Sequence, residues 1–197
     1  MQYPASSGIR QVSGRDDWTT VRQAISATRW QANRVSEDLP YFLTAEAIAA
    51  MEGLAKTHYL DPNAKRINKS LGDATGLTGL GIHLIEVEPG RGTSQYHVHH
   101  FEEEAVYVLS GTATAEIGDD TFPIKPGDFL GYRKKGAAHA IRNTGDETLV
   151  CLVIGQRLAH DVADYPRLGK RLYRNEGMPW DLVDIEAVDH PQAGAKK

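Results

Sequence analysis

From about residue 77 to residue 154 the chain is cut into short apolar runs, each closed within a few residues by glycine, proline, aspartate or asparagine. This rhythm restricts the fold more than any other feature. Runs so short are poor helices, whereas strands of about four to eight residues joined by tight turns build an antiparallel barrel or sandwich. Residues 81–87 read as a strand turned at Pro89-Gly90. Residues 105–109 run into Ser110-Gly111, 112–117 into Gly118-Asp119-Asp120, and 121–124 into Lys125-Pro126-Gly127-Asp128. Residues 129–132, 139–142 and 148–154 supply the remaining strands, with Asn143-Thr144-Gly145-Asp146 as a further turn. Their composition, rich in β-branched and aromatic residues between turn formers, suits that reading.

Chemistry enters the same region at His97-Val98-His99. Side chains two apart on a strand share a face, so His97 and His99 direct two imidazoles to one point while Val98 turns away. Glu104 opens the next apolar run beyond His100-Phe101-Glu102-Glu103, where its carboxylate can supply an oxygen ligand, and His139 completes the set from a distant strand. In a barrel, period-two alternation points all four inward. The same parity sends His100 outward. Glu102 and Glu103 are expected to be solvated loop acids, Glu103 being the rival to Glu104. Three imidazoles and a carboxylate suit one divalent transition metal, whether iron, manganese, nickel, cobalt or zinc, and leave positions for water or substrate. The competing reading is a metal that only fastens the barrel, or inward histidines satisfied by hydrogen bonds.

These residues resemble the two signature motifs of the cupin superfamily. His97, His99, Glu104 and Gly111 fall in the register of the first motif, although Arg91, flanked by Gly90 and Gly92, stands at its leading glycine. Gly136, His139 and Asn143 match the end of the second; Lys134 replaces its proline, and the stretch from Gly127 is one residue longer. The run from Tyr96 to Gly111, with Gly155-Gln156-Arg157 and Tyr165-Pro166, is similar to a group of bacterial single-domain cupins. The resemblance implies an all-β double-stranded β-helix, a jelly-roll barrel, here with short N-terminal helical segments. It also implies a homodimer. Cupins include dioxygenases, isomerases, epimerases, decarboxylases, lyases and non-enzymatic binding proteins, and fold does not choose among them.

The 197 residues suit one domain with appended segments: an arm over 1–76, the barrel over 77–155, and an extension over 156–197 that packs on the barrel or a partner. In the arm, Ser13 before Asp16-Asp17 resembles a helix start, and Thr44 can cap a helix over 45–51 that ends near Gly53. Arg10, Arg15, Arg22, Arg29 and Arg34 make the arm locally basic, but the net charge of −4 provides no field for a phosphate backbone, so nucleic acid is not expected. No apolar stretch approaches the ~20 residues that cross a bilayer, and Met1-Gln2-Tyr3-Pro4-Ala5-Ser6 lacks a secretion signal, so the expected location is cytoplasmic. The single cysteine, Cys151, lies in an apolar run and is expected to be a buried structural thiol.

His58, His83, His160 and His190 are expected at the surface or in hydrogen bonds rather than on a metal. Tyr96, Tyr107, Tyr132, Arg133 and Arg142 are candidates for supporting or acid-base roles, although parity turns Tyr107 and Arg142 away from the ligand face. Nucleophile-elbow and phosphate-loop motifs are absent. The functional expectation is a metal-dependent enzyme acting on a small oxygenated metabolite, with dioxygenase chemistry ahead of isomerase or lyase chemistry. The alternative is a small-molecule binding or sensing protein without turnover. The sequence names no catalytic residue.

Overall fold

A computed structural model of the chain describes residues 39–191; the helix expected after Ser13 and the five arm arginines lie outside the described residues. The chain enters through helix α1 (Ala45–Ala50), where the Thr44 side chain accepts the amide of Ala47 at 3.1 Å, the predicted cap. Strands β1 (Leu54–His58) and β2 (Asp61–Ser70) follow, then a one-turn helix α2 (Leu71–Ala74) and β3 (Leu80–Val87). The jelly roll continues through β4 (Val98–His99), β5 (Glu104–Ser110), β6 (Ala113–Ile117), β7 (Asp120–Ile124), β8 (Phe129–Tyr132), β9 (His139–Arg142) and β10 (Leu149–Gln156). Strands β11 (His160–Tyr165), β12 (Lys170–Asn175) and β13 (Asp181–Asp184) complete the described chain. Among the described residues no helix is long and apolar enough to cross a membrane.

One sheet runs in the order β1-β2-β3-β10-β5-β8, and a three-stranded sheet β7-β6-β9 faces it. The core fills the space between them: Ile85, Val87, Val106, Val108, Leu149 and Cys151 from the larger sheet pack with Ala113, Ala115, Ile124 and Ile141 from the smaller. Period-two alternation decides this, since Tyr107 and Leu109, between the buried positions of β5, remain exposed. Cys151 is fully buried, and burial pushes its thiol up to about 12, the structural thiol expected. Gly111 shows why its turn excludes a side chain: at φ +76° an added Cβ would lie 2.7 Å from the Thr148 carbonyl oxygen.

Two segments enlarge the predicted barrel. Within the expected arm, β1 and β2 join the larger sheet, with Ile67 opposite Glu86 and Asn68 opposite Ile85, so sheet pairing begins well before residue 77. The C-terminal extension does more than pack against the barrel. Strands β11, β12 and β13 form a sheet whose edge pairs with the ligand strand, Ala163 opposite His99 and Asp164 opposite Val98.

Candidate metal centre

His97 leads into β4, His99 ends it, Glu104 begins β5 and His139 begins β9. An isolated bridge pairs His97 with His139, each amide donating to the other's carbonyl at 3.0 and 2.8 Å. This pairing brings the imidazoles together: the His97 ring centroid lies 4.9 Å from that of His99 and 4.7 Å from that of His139. One ligand atom each from His97, His99 and Glu104 lies within 4.8 Å of the others, and Glu104 Oε1 is 3.9 Å from His139 Nε2. All four sequence-predicted residues therefore meet.

Their hydrogen bonds say what the cluster lacks. His97 Nδ1 faces the carbonyl oxygen of Gln95 at 2.8 Å, His99 Nδ1 faces Asp161 Oδ2 at 2.6 Å, and His139 Nδ1 faces the carbonyl of Ala137 at 3.5 Å. Each of those oxygens can only accept, so each Nδ1 carries a proton, and each Nε2 turned into the cluster is a lone-pair donor whenever its ring is neutral. Two of these, on His97 and His99, lie 3.1 Å apart, and the third, on His139, is buried without a partner. Nitrogens so close are joined either by a proton on His99 Nε2, whose pKa is raised, or by a cation among them. The donor set therefore fits a divalent metal held by His97, His99, His139 and Glu104, with Asp161 fixing the tautomer of His99 from behind.

Electrostatics keep the set poised. Burial lowers the His97 pKa well below its ordinary value and, despite the Ala137 hydrogen bond, lowers His139 to about 4, so both favour the neutral form. Burial lowers His99 as well, but the hydrogen bond and charge of Asp161, with Glu104 and Glu102, raise it overall. Burial raises Glu104 against the opposing pull of His99 and Arg66. Tyr132 stacks on His139 at 3.5 Å and 3°, its hydroxyl buried and without a partner. Burial, with the charge of Glu104, raises its pKa, so the phenol keeps its proton. A cleft of about 320 Å³ has walls that include Glu104, Tyr132, Gly131, Ile154 and Gly155 but none of the three histidines.

His100 turns away and meets Asp164 at 2.9 Å, as parity requires. Tyr107 and Arg142 are exposed, also as expected, while Tyr96 is buried and donates to the Gly118 carbonyl. Arg133 is exposed but lies at the cleft wall. His58 accepts the amide of Leu60, His83 meets Asn68, and His160 and His190 are exposed. The expectation of a solvated Glu102 is corrected. This side chain is buried, paired with Arg174 and accepting the amide of Leu158, because β12 brings a guanidinium over it. Asp161 was missed. Its signal was the alternation of Asp161, Ala163 and Tyr165 on one face of β11, which places a carboxylate on an otherwise apolar side. At the lengthened second motif, Lys135 adopts φ +57° and its amide donates to the His99 carbonyl at 2.7 Å, so the extra length ties the loop to the ligand strand.

Residues 83–155 match the cupin domain family. A solved structure from Acidithiobacillus ferrooxidans, provisionally described as a sugar phosphate isomerase, is 56% identical over 77% of this chain and 97% of its own, with a TM-score of 0.75. The chain belongs to the cupin superfamily. A sugar phosphate isomerase of the cupin superfamily from Silicibacter pomeroyi has the same fold, with a TM-score of 0.62 at 22% identity, over 71% of this chain and 90% of its own. The polyketide synthase CurC of Streptomyces cyaneus is 31% identical over 45% of this cupin and 58% of its own length. This cupin spans about half the length of the curated relatives it matches.

Proposed function

We propose that this cupin is a metal-dependent isomerase of small oxygenated metabolites. The observation that carries the metal is the convergence of three imidazole Nε2 atoms and one carboxylate. Support for isomerase chemistry over the oxygenase chemistry favoured on sequence comes from the 56% identical relative described in those terms. His97, His99, His139 and Glu104 would hold the ion. When bound, it supplies Lewis acidity to the carbonyl or hydroxyl oxygens of a substrate. The chain does the rest: Asp161 holds His99 in its ligating tautomer, and the protonated Tyr132 hydroxyl, on the ring stacked against His139, is a proton donor for a substrate oxygen that reaches the cluster.

Elemental analysis of untagged protein should find about one transition metal ion per chain. Metal-loaded protein in deuterated water should exchange the proton at the carbon beside the carbonyl of a phosphorylated aldose or ketose, read by NMR. Oxygen consumption without such exchange would replace the isomerase reading with the oxygenase one. Stoichiometric binding without turnover across several metals would replace both with a sensor. The reading includes a homodimer, supported by the exposed pair Tyr107 and Phe129 on the outer face of β5 and β8, with Leu109 beside them; a monomeric mass in solution would remove it.

A further inference from the structure

Among the described residues, two cations on β1 and β2 have no carboxylate in contact with them. Lys56 and Arg66 are register partners on β1 and β2, and both are partly buried. Arg66 lies on the inner face with the buried Ala64 and Asn68. Its Nη1 donates to the carbonyl of Thr93, so the side chain reaches from β2 to the segment leading into the ligand strand, while its Nε is buried without a partner. Among the described residues, neither Lys56 nor Arg66 has a carboxylate within 4.0 Å. A third cation, Arg157, is already paired with Asp73 at 2.5 Å and lies over Gly81, where a Cβ would sit 3.1 Å from both Arg157 Nε and His83 Nε2.

The fields of these groups overlap. Burial lowers the proton affinity of Arg66 and Glu104 raises it; burial and then Arg66 lower that of Lys56 against the pull of Asp73. Burial, reinforced by Lys56, Arg157 and Arg66, holds His83 neutral down to about 4. Two like charges, half removed from water and side by side, oppose folding unless an anion joins them. Once Glu104 ligates a metal its compensation is spent, and only Asp73, already paired with Arg157, acts on Lys56 from the acidic side. A guanidinium with a free N–H edge beside an ammonium matches an oxyanion in geometry as well as sign.

We propose that Arg66 and Lys56 form an oxyanion seat that holds the anionic group of the substrate, a phosphate monoester or a carboxylate, while its reacting end faces His97, His99, His139 and Glu104. This deepens the reading of the preceding subsection and rests on it for the reacting end. The seat belongs to this chain's own side chains and binds its anion without a metal.

The test is titration of chelator-treated, metal-free protein with inorganic phosphate, followed calorimetrically and by phosphorus NMR line width, with acetate in a parallel arm. Wild type binds phosphate. Lys56→Met and Arg66→Met each weaken it tenfold or more, Arg66→Lys weakens it less, and Lys125→Met at an exposed turn leaves it unchanged. Because Arg66 holds the Thr93 carbonyl, Lys56→Met decides the matter should Arg66→Met fail to fold. Acetate binding as tightly as phosphate, and lost in the same variants, supports the seat and assigns a carboxylate substrate. Phosphate affinity unchanged in Lys56→Met, or phosphate bound only after metal loading, overturns the proposal. Phosphate binding that depends on the seat, in a protein that isomerises nothing, sinks the isomerase reading and leaves the seat. Isomerisation of a phosphorylated sugar with an unaltered KM in Lys56→Met sinks the seat and leaves the isomerase.

Discussion

The two ends of the barrel interior are made by the same strands under the same alternation, yet they hold opposite chemistry. Along β3 the inward positions run Val87, Ile85, His83; along β5 they run Val108, Val106, Glu104; along β9 they run Ile141, His139. Each row begins apolar and ends titratable. At the apolar end Val87, Val108, Leu149 and Cys151 are wholly excluded from solvent. At the other end stand a buried imidazole nitrogen and a phenol without partners, and two imidazole nitrogens 3.1 Å apart. Stability and ligand binding are thus divided along one set of strands, and the polar end trades stability for a site that a cation completes.

The largest break in that division comes from replacing His97 and His99 together by alanine. Metal retention should fall from about one ion per chain to none by elemental analysis. The metal-free variant should melt lower than metal-free wild type, because the hydrogen bonds of His97 to the Gln95 carbonyl and of His99 to Asp161 are lost. Unchanged metal content would reject the site. Leu149→Ala attacks the opposite end and should lower unfolding free energy in urea by about 2–5 kcal/mol, the cost of a cavity at a fully buried position. Its folded fraction should keep full metal stoichiometry; loss of metal there would show that the two ends are not separable.

Asp161→Asn sharpens the comparison at the ligand shell. The remaining Oδ1 can still accept the amides of Phe101 and Glu102. The atom facing His99 Nδ1 becomes an amide donor, which favours the tautomer with its proton on Nε2, where it blocks ligation. Metal affinity should fall about 10–100-fold, read by competition with a chromophoric chelator, with little change in thermal stability. An affinity within twofold of wild type would reduce Asp161 to a structural acid.

What was legible in the sequence follows the same line. Strand parity and ligand type are local properties, so His97, His99, Glu104 and His139 could be assigned inward and His100 outward before any partner was known. Asp161, Glu102 and Arg66 could not, because their roles depend on residues far away in the chain. Asp161 acts on His99 across 62 positions, and Glu102 is buried only because β12 delivers Arg174. Arg66 lies in β2, whose sequence Asp-Pro-Asn-Ala-Lys-Arg-Ile-Asn-Lys-Ser carries little β propensity. That strand is imposed by pairing with β1 and β3, which explains why it reads as an arm. The extension after residue 155 read only as a packing segment, because β11 owes its place to pairing with a two-residue ligand strand.

The smallest expected effect lies where the two ends meet, at His83. Asn68 Nδ2 donates to His83 Nδ1 at 3.1 Å, a bond that requires the unprotonated ring. Burial, with Lys56, Arg157 and Arg66, lowers its native pKa to about 4, against about 6.5 in the unfolded chain. Between those values the unfolded state binds the proton and the native state does not. Stability attributable to His83 is therefore fully present above pH 6.5, declines as the pH falls through 6 and 5, and is gone below about 4. Discounted for the ring's partial exposure, the amount is on the order of 1 kcal/mol. His83→Gln keeps a polar partner for Asn68 and removes the titration. The difference in urea stability between wild type and variant, both metal-free, should shift in favour of the variant by that amount from pH 7 to pH 4. A difference flat across that range would mean that neither burial nor the field of Lys56, Arg157 and Arg66 keeps His83 neutral, and the boundary between the two ends would move toward the metal cluster.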